Sequence, residues 1–100
     1  MSEVYKALAD PSRRRILQLL REKEMSAGEI AGHFNLAKPT LSGHFAVLRA
    51  ADLVAAERTG TTIIYRLNVS VLEEALMALM DGFKLGLERE PSGLPRKASS

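Results

Sequence analysis

The chain has 100 residues, one domain's worth, with 46% hydrophobic and 26% charged residues, which fits a globular protein rather than a disordered one. Its formal net charge of +2 permits a nucleic-acid partner without demanding one, and the absence of cysteine excludes disulfides, thiolate metal sites and cysteine nucleophiles. No basic-then-apolar leader, membrane-length apolar run or internal repeat is visible, so a cytoplasmic protein is the simplest expectation.

Val4 to Ala9 reads as a short opening helix with Val4, Ala7 and Leu8 on one side. Asp10-Pro11 closes it and opens the next, because Asp caps helix N-termini and Pro is tolerated in the first turn. That second helix, about Pro11 to Lys23, buries Ile16, Leu17 and Leu20 and exposes Arg13, Arg14 and Glu22. Arg13, Arg14 and Arg15 form a charge run of the kind that usually faces solvent. A cation near a helix N-terminus is disfavoured by the dipole, so Arg13 calls for a partner, either an acidic side chain or a phosphate.

Ser26-Ala-Gly-Glu29 is a capping box that starts a third, short helix. It ends near Phe34, with Asn35 as a left-handed terminating residue. Only two or three residues then separate it from a fourth helix over Lys38–Arg49. Helices joined by so tight a turn cross steeply, as in a helix-turn-helix.

The fourth helix carries the chain's most distinctive chemistry. Leu41, Phe45 and Leu48 form an apolar stripe, whereas Thr40, Ser42, Gly43, Ala46 and Arg49 are small or polar. The face is almost free of acid, with Lys38 at its start. Small residues admit close approach, and hydroxyl, imidazole and guanidinium groups bond phosphates or base edges. Lys38, Thr40, Ser42, Gly43, His44 and Arg49 are therefore the candidate DNA contacts. His44 flanks the apolar stripe, so contact with DNA and a place at the core boundary both fit it. Glycine inside a helix costs about 1 kcal/mol relative to alanine. Gly43 reads either as room for the DNA backbone or as a lost base contact.

After Ala51 the apolar period falls from helical spacing to two. Leu53–Arg58 and Thr62–Leu67 flank Thr59-Gly60-Thr61, a β-hairpin in which Ile63, Tyr65 and Leu67 share one face. Arg58, Thr59, Gly60 and Thr61 form a tip whose single nearby cation makes a small phosphate contribution. Asn68 or Ser70 can cap a last helix, Val69 to Leu87, with Leu72, Ala75, Leu76, Leu79, Met80, Phe83 and Leu87 apolar. The expected fold is mainly α with a small hairpin, in the order α-α-α-α-β-β-α, a winged helix-turn-helix. One domain spans 1–87, and 88–100, with Pro91, Gly93 and Pro95, reads as a tail.

Several ordered motifs carry a resemblance. Ala7-Leu-Ala-Asp-Pro-Ser-Arg-Arg-Arg-Ile-Leu17 resembles the opening of ArsR-type winged-helix repressors. So do Ala37-Lys-Pro-Thr-Leu-Ser-Gly-His-Phe-Ala-Val-Leu48, Ala51-Asp-Leu-Val54 and Arg58-Thr-Gly with Tyr65-Arg-Leu67. The similarity covers about residues 3–87 and is nearest to the metal-independent autorepressor (SdpR-like) branch. It implies a homodimeric repressor whose fourth helix enters the major groove and whose wing touches flanking DNA. By correspondence, Lys38, Thr40, Ser42 and His44 take the recognition positions. Gly43 departs from the pattern, where a larger polar residue often stands.

The long last helix leaves an apolar stripe in need of cover. Val4, Tyr5 and Leu8 with Leu72, Leu76, Leu79, Met80 and Phe83 are the candidate surface for pairing across a two-fold axis. No cofactor or metal is expected. His33 and His44 fall on different helices, and Glu73, Glu74, Asp81 and Glu88 are joined by no histidine of the last helix. No phosphate loop or nucleophile with a nearby base suggests an enzyme. Two alternatives to a plain operator-binding repressor stand beside it. One is a ligand-responsive sensor with an interface pocket lined by Met77, Met80 and Phe83. The other is a winged-helix module for protein partners, which acids on the fourth helix would have favoured.

Overall fold

The computed structural model describes residues 2–83, and its second and third helices begin where capping chemistry puts them. Helix α1 spans Ser2–Leu8 and α2 spans Pro11–Glu22. Asp10 is extended at the N-cap of α2, where its carboxylate accepts from the Arg13 amide at 3.1 Å. The capping box forms in full. The Ser26 hydroxyl accepts from the Glu29 amide at 3.0 Å, and the Glu29 carboxylate accepts from the Ser26 amide at 2.8 Å. Helix α3, Ala27–Ala31, follows, then α4 over Lys38–Ala50 and α5 over Val69–Phe83. The expected continuation of α5 to Leu87, and the tail, lie outside the described residues.

The end of α3 differs from expectation. Gly32, His33 and Phe34 continue it as a tightened right-handed turn, with His33 N–H donating to Ile30 O at 2.9 Å and Phe34 N–H to Ala31 O at 3.1 Å. These bonds satisfy the terminal carbonyls without a left-handed residue, so Asn35 is not one. The left-handed position falls instead on Asp52, φ 59°, just past α4. There Leu53 N–H donates to Leu48 O at 3.0 Å and Asp52 N–H to Arg49 O at 2.9 Å. This is a Schellman end, and Leu48 and Leu53, both fully buried, supply its apolar contact. Asp is among the few residues that tolerate the conformation.

A third strand joins the expected hairpin. β1 (Met25–Ser26), β2 (Val54–Thr59) and β3 (Thr62–Leu67) form an antiparallel sheet in the order β1-β3-β2. Met25 pairs with Tyr65 and Ser26 with Ile64. Two residues are too few to show an alternation, which is why β1 leaves no mark in the sequence. β2 starts at Val54 rather than Leu53, because Leu53 belongs to the helix end. Thr59 pairs with Thr62. The turn is therefore the two residues Gly60-Thr61, with Gly60 at φ 63° as a tight hairpin needs.

The core is one cluster in which Ile16, Ile30, Leu48 and Leu53 are fully enclosed. Phe45 of α4 stacks on Tyr65 of β3, ring centroids 4.4 Å apart and planes 21° from parallel. Such a pair contributes about 0.5–1.5 kcal/mol beyond its buried area, and here it seats α4 on the sheet. α1 packs against α2, α4 and α5. Among the described residues no helix is long and apolar enough to cross a membrane.

Candidate nucleic-acid interface

Burial of Leu41, Phe45 and Leu48 turns the opposite side of α4 outward. Lys38, Thr40, Ser42, Gly43, Ala46 and Arg49 are all exposed, and the helix contains no acid. No side chain caps its first turn, so its leading amides are free for another acceptor. Between α3 and α4, a hollow of about 300 Å³ is bordered by Gly28 and Ala31 on one side and by Lys38 and Ser42 on the other.

The hairpin extends this surface. Arg58, Thr59, Gly60 and Thr61 are exposed, and Arg58 lies on the same side of β2 as Val54 and Ala56. Arg58 and Arg49 border one cleft of about 120 Å³, floored by Ala56 and Ile63. Glu57, on the other side of the strand, is held by Arg66 at 3.5 Å. The structure thus sets a second cation, from α4, beside Arg58, and keeps the neighbouring acid turned away with Arg66.

His44 is placed differently from the other candidates. Its side chain is only 14% exposed, with Nδ1 3.3 Å from Arg13 Nη1 and Nε2 3.9 Å from Asp10 Oδ2. Arg13 also donates from Nε to Ala7 O at 2.9 Å and from Nη2 to Lys6 O at 3.0 Å. Arg14 Nη1 reaches Leu8 O at 2.9 Å. The Arg13 side chain bonds the carbonyls closing α1, which attract cations, and the His44 ring, while the Asp10 carboxylate is the nearby acid that its charge attracts. No short-range pattern announces this contact, which joins residues 31 apart.

The hydrogen bond from the Arg13 amide, with the Arg13 charge nearby, lowers the Asp10 pKa below the usual aspartate range. A lowered folded-state value stabilises the fold above the unfolded pKa of about 4 and is lost as pH falls through the folded value. Thermal melts from pH 6 to pH 3 are expected to show Asp10→Asn losing less stability than the parent over that window. Equal losses would mean that the cap does not titrate with folding.

A Cβ built at Gly43 meets nothing within 4 Å, so no intramolecular crowding requires glycine there. Gly43→Ala is expected to stabilise the free protein by about 1 kcal/mol, raising the melting temperature by about 4–8 °C. Full operator affinity in this variant would eliminate close DNA approach as the reason for glycine. A loss with raised stability would support it.

The residues expected at a pairing surface divide. Val4 is buried within the chain's own core, and Leu8 and Leu72 are half-buried against it. Tyr5, Leu76, Leu79 and Phe83 remain exposed, Leu76 at 44% and Phe83 at 70%, with Met80 half-buried. Met77, read from sequence only as a pocket residue, is 65% exposed on the same helix. Met77 and Met80 flank a hollow of about 430 Å³ that Phe83 does not line. His33 is exposed in the turn after α3, and among the described residues no three His, Asp or Glu side chains converge as a metal site would require.

Residues 10–56 match the family described as bacterial regulatory proteins of the arsR family. The chain is 41% identical over 86 residues to the transcriptional repressor SdpR of Bacillus subtilis (strain 168), covering 86% of this chain and 96% of that one. A crystal structure of a possible transcriptional regulator for arsenical resistance superposes with a TM-score of 0.70 at 37% identity, covering 78% of this chain and 80% of that one. An ArsR family transcriptional regulator at 23% identity shares the fold with a TM-score of 0.77, covering 84% and 92%.

Proposed function

Since the chain belongs to the arsR family of bacterial regulatory proteins, whose members are DNA-binding transcriptional regulators and not enzymes, we propose that it is a homodimeric repressor occupying a palindromic operator, of the autorepressor type. The observation that carries this reading is the outward face of α4. It is exposed, acid-free and rich in small residues, lies just after the tight turn from α3, and is seated on the sheet by the Phe45–Tyr65 stack. Lys38 and the leading amides of α4 suit phosphates, while Thr40 and Ser42 suit phosphates or base edges. Arg49, Arg58 and the Thr59-Gly60-Thr61 turn suit the flanking backbone.

A second copy is the occupant we propose for the exposed side chains of α5 and Tyr5. Two-fold pairing would place two α4 helices about 34 Å apart, one DNA turn. A chromosomal operator as partner places the protein in the cytoplasm. The test is selection of bound duplexes from a random pool, followed by salt titration of the winner. An inverted repeat with half-sites one turn apart and an affinity falling steeply with salt is expected. Binding indifferent to salt between low and physiological strength, or no enriched duplex, overturns the reading.

A further inference from the structure

Arg13 and His44 meet at the junction of three helices, and the chemistry of the contact fixes the state of the ring. A guanidinium has donors only, so His44 Nδ1 must present its lone pair to Arg13 Nη1 at 3.3 Å. The ring hydrogen then sits on Nε2, facing the Asp10 carboxylate at 3.9 Å. Arg13 also donates from Nη2 and Nε to the Lys6 and Ala7 carbonyls, so a single side chain joins the end of α1 and the start of α2 to the middle of α4. His44 lies one turn beyond the exposed Thr40, at the edge of the buried stripe of Leu41, Phe45 and Leu48. Any rotation of α4 that turned Ser42 or Thr40 away from the groove would have to break this contact.

We propose that the Arg13–His44 contact is a latch that sets the rotation of α4, and that His44 acts on DNA binding as a positioning residue rather than as a DNA contact. The proposal rests on the reading of α4 as the operator-binding helix. It assigns to Arg13, on a helix that does not enter the groove, a measurable share in operator affinity.

The amide oxygen of Asn stands where His Nδ1 stands, and Asn lacks the Nε2 end. His44→Asn is therefore expected to keep operator affinity within about threefold, with base preference unchanged, because the acceptor for Arg13 survives. His44→Leu and Arg13→Gln remove opposite halves of one contact. Each is expected to lower affinity about tenfold, and the double variant no further, since the two losses share one interaction. Base preference altered by His44→Asn, or losses that add in the double variant, overturns the latch and makes His44 a DNA contact.

A measurement on the unaltered full chain guards against variants that fold poorly. Nitrogen-15 spectra of the His44 ring are expected to show protonation at Nε2 and little change when operator is added. A large shift at Nε2 on binding overturns the proposal. Lys38→Ala, run alongside, keeps the two failures apart. If it leaves affinity intact the reading of α4 fails, whereas its loss of affinity beside an indifferent Arg13→Gln sinks the latch only.

Discussion

Leu76→Glu is expected to leave the protomer folded, dissociate the dimer and lower operator affinity by about 100- to 10,000-fold. Leu76 is 44% exposed in the protomer, so its replacement removes little of the core. On a paired surface the same carboxylate would be buried without a counter-charge, which is strongly unfavourable. The loss at the operator arises because the second half-site is no longer engaged as an intramolecular event. Sedimentation, a thermal melt and fluorescence anisotropy on a labelled operator check the three parts. A dimer that persists with unchanged affinity would remove α5 from the pairing surface.

Ser42→Asp is expected to abolish specific binding at a melting temperature close to the parent's. Ser42 is exposed and its hydroxyl makes no hydrogen bond among the described residues, so folding does not depend on it. A carboxylate there confronts phosphates and base acceptors with like charge. Losing contacts of about 1–3 kcal/mol each, twice per dimer, lowers affinity by about 30- to 20,000-fold. Lys38→Ala should behave otherwise. It weakens all sequences alike and reduces the salt slope by about two per dimer, one phosphate for each protomer. Selectivity retained at reduced affinity in Ser42→Asp would move base reading to another residue.

The contrast between these two variants follows from what the sequence makes legible. Asp10 with Pro11, and Ser26 with Glu29, are chemistry closed within three residues, and both caps form as written. The stripe of Leu41, Phe45 and Leu48 needs only helical geometry, and it leaves the outward face of α4 readable by subtraction. What escapes is chemistry between distant segments. The pairing of Met25 with Tyr65 gives β1 no local pattern, and the Arg13–His44 contact depends on how three helices cross. Arg49 reaches the wing cleft only because the Schellman end at Asp52 turns the chain back sharply. Residue type alone points to Asn35 for the left-handed position. It falls at Asp52 because burying Leu53 beneath Leu48 demands a reversal there.

Ser26 carries a consequence of its own. It is the last residue of β1, paired with Ile64, and also the N-cap whose hydroxyl holds the Glu29 amide. Sheet and helix therefore share a residue, and no spacer separates them. One residue inserted after Ser26 would force a choice between strand pairing and helix cap, shifting α3 by about 100° about its axis relative to the sheet. The Gly60-Thr61 turn has no such double duty, since its ends are held only by Thr59 and Thr62. Length variation in this half of the molecule is thus confined to the wing tip. Insertion libraries should recover folded chains there and almost none at the seam between residues 26 and 27.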